Sequence, residues 1–177
     1  MLHQPQRGYG IACLTGLAHL RDREAGPPEV VVIVDADYSD HPEQLPRLAA
    51  PVLDGRYDMV LGSRILGNAE PGSITLVQGF GNWLTTRLIG LRFGFRFTDM
   101  GPFRAVRFDR LMALGMTDET WGWNVEMQCK ALHAGWAIHE LPVDYRNRIG
   151  TSKISGSLRG ASRAGVRIIW AMGKYGR

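Results

Sequence analysis

The apolar positions of this chain fall into runs of two kinds. A short unbroken β-branched run stands at 29–34 (EVVVIV), and a second short, buried strand is expected at 58–61 (DMVL). An unbroken run of that length suits a strand covered on both faces, as in a parallel sheet. Elsewhere the spacing changes to three and four. Ile11, Leu14, Leu17 and Ala18 share one face of a helix expected over 8–20. Pro42 suits the first turn of a second helix running to about 53, with Ser39 or Asp40 as its cap. A long apolar segment at 76–93 predicts one or two helices. Further elements are expected as a strand at 102–106, a short helix at 109–114, a helix at 124–133 and a strand at 136–145. Val125, Cys129 and Leu132 form one face of the helix at 124–133. Strands alternating with helices indicate an α/β protein. No internal repeat or low-complexity tract interrupts the order.

Length and composition fit that picture. The 177 residues are enough for one sizeable core, and 45% hydrophobic with 21% charged residues argues against disorder. No stretch approaches the roughly 18 apolar residues of a membrane span. Cys13 and Cys129 lack metal or redox spacing, so a disulfide scaffold is not expected and a reducing compartment is. The five histidines show no metal spacing either.

Charge sharpens the reading. Residues 1–145 carry 13 Lys and Arg against 17 Asp and Glu, whereas residues 146–177 carry eight basic residues and no acid. A basic end on a mildly acidic body calls for an anionic partner: phosphate, a membrane surface or nucleic acid. No nucleic-acid motif supports the last of these. The end also mixes Leu158, Val166, Ile168, Ile169, Trp170 and Met172 with its cations. That mixture is expected to form a basic amphipathic helix, either lying on an anionic bilayer or simply covering the sheet.

The candidate chemistry lies where strands end. Asp35-Ala36-Asp37 follows the first buried run, and ligands of open α/β sheets bind beyond the carboxyl ends of strands. Two carboxylates at i and i+2 of an extended segment point the same way. They suit Mg²⁺ or Mn²⁺, which completes its shell with substrate phosphates. Capping of the next turn is the structural alternative. Gly62-Ser63-Arg64 ends the second run, and its guanidinium fork suits phosphate. The segment 145–153 (YRNRIGTSK) gathers donors in a Gly/Ser loop able to close over a pyrophosphate. Asp99 and Glu126 each lie near aromatic residues and glycines. Trp83, Trp121, Trp123 and Trp136 read individually as core or rim packing. There is no GxSxG, and RGYGIA is not GxGxxG.

Taken in order, RGYGIACLTGL, VVIVDAD, DMVLGSR, DMGPFRAVR, WNVEMQCKALHAGW and ELPVDYRNRIGTSKISG resemble family 2 glycosyltransferases, in particular the polyprenyl- or dolichyl-phosphate sugar transferases. The resemblance implies a GT-A-like α/β fold: a mixed, mainly parallel sheet flanked by helices. It also implies chain ahead of RGYG, so the first strands of such a domain are expected to be lacking. The expected organisation is a partial GT-A domain over 1–156 and a basic amphipathic helix over 157–177.

The implied activity is inverting transfer of a sugar from a UDP- or GDP-linked donor to a polyprenyl or dolichyl phosphate. By similarity, Asp35, Ala36 and Asp37 bind the donor, and Asp35 and Asp37 hold the metal. Arg148 and Lys153 meet the donor phosphates. Arg64 meets the acceptor phosphate, with Asn82 beside it. Asp99 matches an acidic position near the reacting sugar. With a hydroxyl acceptor, Asp99 or Glu126 becomes the candidate base. A cytoplasmic chain, peripheral at the cytoplasmic membrane face, is expected. The competing readings are transfer to a glycan or other hydroxyl, nucleotidyl transfer, and a non-catalytic fragment that only binds.

Overall fold

The computed structural model describes residues 2–150, 170 and 173–175. Ten elements follow in order: helix α1 (Tyr9–Arg21), strand β1 (Val30–Ile33), a 3₁₀ turn (Pro42–Gln44), helix α2 (Leu45–Leu53), strand β2 (Met59–Ser63), helix α3 (Leu76–Phe93), strand β3 (Arg104–Arg107), helices α4 (Phe108–Ala113) and α5 (Trp123–His133), and strand β4 (Ile138–Pro142).

The sheet order is β1-β3-β2-β4. β3 is antiparallel to both of its neighbours, and β2 pairs in parallel with β4. Strands β1, β2 and β4 therefore run the same way and β3 alone opposes them. The sheet is mixed, as expected. Its mainly parallel character lies in strand direction, because two of the three ladders among the described residues are antiparallel.

Three local expectations change. β1 is half-buried rather than fully buried: Val31 and Ile33 pack on one core layer and Val30 and Val32 on the other, but within the described sheet the strand pairs along one edge only. Ser39 and Asp40 do not cap the following helix: neither its 3₁₀ turn nor α2 has a side-chain cap. Both side chains turn back into the loop that leaves β1. The segment 76–93 is one helix, held by a Thr75/Gln78 capping box and ended by Gly94 in the left-handed conformation.

The period-two alternation of the strands divides the core. Met59, Leu61 and Val106 face one layer with Leu17, Ile89, Trp123 and Met127 from the helices. Val60, Phe103 and Ala105 face the other, where Leu48 and Val52 of α2 close over them. Trp123 and Trp136 are core residues, whereas Trp83 and Trp121 face outward. Both cysteines are free, and burial pushes each thiol up to about 11.

Two glycines permit close backbone approaches. At Gly10 a Cβ would meet the Asp118 carbonyl oxygen at 1.9 Å, where α1 hydrogen-bonds to 119–120 through the Gly10 and Ile11 amides. At Gly67 it would meet the Val143 carbonyl oxygen at 2.0 Å and the Val143 nitrogen at 2.6 Å. Those neighbours are backbone and cannot swing away. Gly67→Ala is expected to cost about 1–3 kcal/mol, read as a fall of roughly 2–4 °C in Tm per kcal/mol in thermal unfolding.

Candidate donor and acceptor site

Because β1 and β2 run the same way, the loops that leave them reach the same edge of the sheet. The 35–40 loop is tightly bonded within itself. The Asp35 amide donates to Asp40 Oδ2 at 3.2 Å, and Asp37 Oδ1 accepts from the amide and hydroxyl of Ser39. Tyr38 between them has φ 71°, a left-handed conformation that costs a non-glycine residue about 1–3 kcal/mol. Arg146 supports this turn: its guanidinium lies 3.4 Å from the centre of the Tyr38 ring and donates to the Tyr38 and Asp40 carbonyls.

The basic loop after β4 is thus folded onto the aspartates. The Arg146 and Ile149 amides donate to the carbonyls of Ser39 and Asp37, and Arg148 pairs with Asp37 Oδ2 at 3.1 Å. Its register is fixed from the other side as well. Asp144 accepts from Gln44 and Asn68, and Asn147 donates to Glu70 through both its amide and its side chain. A cleft of about 530 Å³ opens here, lined by Asp35, Ala36, Tyr38, Asp40, Glu43 and Arg146.

Burial dominates the electrostatics of the carboxylates in this cleft. Burial raises the Asp35 pKa and the neighbouring Asp37 raises it further, against the pull of Arg148 and Arg64. Burial pushes Asp40 up to about 6, and its Oδ1 is buried without a hydrogen-bond partner. Among the described residues no group of three or more His, Cys, Asp or Glu is placed to hold a metal ion. Asp35 and Asp37 are two hard oxygen donors, the number a divalent cation takes from protein when phosphate oxygens complete its shell.

The second half of the site is built around Arg64. Its Nε and Nη2 donate to the two oxygens of Asp99, each at 2.7 Å, and its amide donates to the same carboxylate at 2.9 Å. The Arg64 side chain is 13% exposed and that of Asp99 1%. The Tyr145 ring lies beneath the guanidinium, 4.9 Å from centroid to Cζ. Burial raises the Asp99 pKa, but Arg64 outweighs it and holds the carboxyl below the usual range. The fork is therefore a preset cation rather than a loose surface arginine.

Asn82 and Glu140 hold Asp99 in place. Asn82 donates to the Thr98 carbonyl and accepts from the Met100 amide. Glu140 of β4 accepts from the Thr98 amide and hydroxyl and from the Asp99 amide. Ser63 and Thr98 share a hydroxyl contact at 2.7 Å.

The structure thus brings Asp35, Ala36, Asp37, Arg148, Arg64, Asp99 and Asn82 to one edge. Glu126 is not brought there. It is fully buried, accepts from the amides of Thr117 and Asp118, and pairs with Lys130 at 2.8 Å. Its oxygens are occupied by the loop that precedes α5, which rules out the base role considered above. Lys153 and most of 157–177 lie outside the described residues. Sequence reasoning read Asp40 only as a cap and missed Glu140 and Glu70. Glu140 carried a signal, an acid in the middle of a strand (IHELP). Glu70 carried none, since its role comes from a partner 77 residues away.

A family model, Glycosyl transferase family 2, matches residues 1–115. An uncharacterized glycosyltransferase of Mycobacterium tuberculosis is 34% identical over 161 residues, covering 89% of this chain and 69% of that protein. The undecaprenyl-phosphate mannosyltransferase of Micrococcus luteus is 31% identical over 172 residues, 94% of this chain and 69% of its own length. The dolichyl-phosphate hexose transferase of Haloferax volcanii is 30% identical over 163 residues, 92% and 67%. Among solved structures, glucosyl-3-phosphoglycerate synthase from M. tuberculosis superposes with a TM-score of 0.71 at 18% identity, over 98% of this chain and 56% of that one. That enzyme has also been solved with Mn²⁺, UDP-glucose and phosphoglyceric acid. The chain spans about two thirds of these curated relatives and little more than half of the solved neighbour.

Proposed function

Because the chain belongs to glycosyltransferase family 2 and has the GT-A type of mixed sheet, we propose that it carries the diphosphate-binding and acceptor-binding part of an inverting transferase moving a sugar from a nucleoside diphosphate sugar to a polyprenyl or dolichyl phosphate. The relatives named for undecaprenyl-phosphate and dolichyl-phosphate transfer support the acceptor class.

One observation carries the phosphate acceptor. Asp99, the remaining candidate base at the edge, has both oxygens committed to Arg64 and is held in its ionised form. A carboxylate so stabilised is a weak proton acceptor. A hydroxyl nucleophile would need a base there. A phosphate monoester oxygen is already anionic at neutral pH and needs a positioned cation instead, which Arg64 supplies.

Asp35 and Asp37 would hold Mg²⁺ or Mn²⁺, which supplies positive charge for the leaving diphosphate. The chain's own residues do the rest. Arg148, beside Asp37, is placed to turn from that carboxylate to the donor diphosphate, with Lys153 assigned the same partner by similarity. As the bond from the anomeric carbon to the diphosphate breaks, that charge grows and the guanidinium's hold on it strengthens. Ala36 offers a small side chain where the donor enters the cleft. Arg64 orients the attacking phosphate oxygen, and Asp99 and Asn82 orient Arg64.

The test is transfer of radiolabelled sugar from UDP- and GDP-linked donors with Mn²⁺ to polyprenyl phosphate and, in parallel, to free polyprenol. Product with the phosphate alone is expected. Equal transfer to the alcohol would overturn the phosphate acceptor.

A further inference from the structure

The two oxygens of Asp37 are engaged in unlike ways. Oδ1 accepts from two donors of one residue, the amide of Ser39 at 3.1 Å and its hydroxyl. Oδ2 faces Arg148 at 3.1 Å. Each carboxylate oxygen offers about two lone-pair sites, so two donors fill Oδ1.

One of these partners is fixed and the other is exchangeable. Ser39 is fully buried, and its carbonyl accepts from the Arg146 amide at 3.0 Å. The left-handed residue Tyr38 turns the Ser39 amide back onto the carboxylate two positions before it, and the Arg146 guanidinium over the Tyr38 ring holds that turn. Ser39 therefore cannot swing away. The side chains of the Arg148–Asp37 pair are 29% and 27% exposed. A partly exposed ion pair is weak, and either partner can leave it.

We propose that Ser39 is a positioning residue of the cation site: it withholds Oδ1 of Asp37, so that a divalent cation meets this carboxylate through Oδ2 alone. The proposal rests on the reading that Asp35 and Asp37 hold the cation, and it adds how Asp37 does so. Arg148 neutralises Asp37 until Oδ2 is taken, and its guanidinium is then released for the donor diphosphate.

The consequence is a choice between metals. Mg²⁺ and Mn²⁺ suit octahedral sites in which each carboxylate gives one oxygen and phosphates or water complete the shell. Ca²⁺ takes about six to eight oxygens at longer distances and commonly draws both oxygens of one carboxylate. An aspartate with one oxygen withheld, on a turn that cannot open, serves the smaller cations. Removing the Ser39 hydroxyl frees a lone pair of Oδ1 while the amide bond keeps the turn.

The experiment is titration of the full chain with Mn²⁺, followed by the electron paramagnetic resonance signal of the free ion, and then displacement of the bound ion by Ca²⁺. The quantity read is the ratio of the Ca²⁺ to the Mn²⁺ dissociation constant. Ser39→Ala is expected to lower this ratio about fivefold, the worth of one hydrogen bond, because Ca²⁺ gains the freed oxygen and Mn²⁺ does not. Ser39→Thr keeps the hydroxyl and is expected to keep the wild-type ratio, whatever its added methyl group does to either affinity. Arg148→Gln removes the competitor at Oδ2 and is expected to tighten both ions alike, again without moving the ratio. A merely structural role of Ser39 would weaken both ions together. An unchanged ratio in Ser39→Ala, or an equal shift in Ser39→Thr, overturns the proposal. So does an equal shift in Arg148→Gln, since the ratio would then follow charge and not the free oxygen. Any of these results beside intact Mn²⁺ binding counts against Ser39 alone. Absence of Mn²⁺ binding by the wild-type chain, with and without UDP or GDP, overturns the assignment of the cation to Asp35 and Asp37 and this proposal with it.

Discussion

Replacing Asp37 by asparagine is expected to lower sugar transfer by about 10²–10³-fold while leaving the fold in place. The substitution keeps the shape of the side chain and an oxygen able to accept from Ser39, so the turn that leaves β1 survives. What it removes is charge at the point where two other charges depend on it. Asp37 is one of the two carboxylates assigned to the cation, and it holds Arg148 at 3.1 Å beside the cleft. Asp37→Ala should differ: it also loses the Ser39 acceptor and should cost roughly 1 kcal/mol of stability. Activity is read by radiolabelled transfer and metal binding by calorimetric titration of Mn²⁺ in the presence of UDP or GDP. Transfer and metal binding at wild-type level in Asp37→Asn would remove the metal role from this aspartate.

The second large effect is expected at Asp99, on stability first. Removing one partner of a buried ion pair leaves the other charge uncompensated, at a cost of about 3–5 kcal/mol. Asp99→Asn is therefore expected to lower the Tm by roughly 6–20 °C, at about 2–4 °C per kcal/mol for a chain of this size. The acid side of the stability profile should change too. The folded-state pKa of Asp99 lies below its unfolded value. Its contribution is present above the ordinary carboxylate range and is lost as pH falls through the lower folded value. Asp99→Asn should remove that part of the acid-side slope.

Catalysis separates the two roles open to Asp99. As the residue that orients Arg64, it should when replaced raise the apparent KM for the phosphate acceptor along with the loss of stability. As a base, it should when replaced lower kcat with an unchanged KM for the acceptor. An unchanged acceptor KM in Asp99→Asn would overturn the orienting role.

The site was partly legible because much of its chemistry is local. Asp35 and Asp37 are two residues apart at the end of a β-branched run, and their placement needs only the direction of one strand. Arg64 was legible on the same terms, in the Gly62-Ser63-Arg64 turn that follows the second short strand. What Arg64 does was not, because its partner Asp99 is 35 residues away and comes to it only through a reversed strand, β3. Glu126 shows the converse. A carboxylate beside glycines and tryptophans looked available for chemistry, yet it is spent on the amides of the loop before its own helix.

Helix α3 marks the same boundary differently. Its length followed from the apolar run and its ends from Thr75, Gln78 and Gly94, all local signals. The face turned inward carries Asn82, which bonds the Thr98 carbonyl and the Met100 amide, while Phe80 and Trp83 stand exposed. Local spacing alone would have turned the apolar stripe to the core.

By itself, the order of residues determined the alternation of strands and helices, the two Asp-bearing and Arg-bearing strand ends, and the excess of cations after residue 145. These depend on neighbours a few positions apart, within reach of period, propensity and charge. Only the tertiary structure decided that β3 runs against the other strands, that the basic loop lies across Asp37, and that Asp99 serves Arg64. It also decided that α3 presents its apolar face outward. Each of these depends on hydrogen bonds and ion pairs between segments tens of residues apart, and their partners exist only once the sheet has brought those segments together.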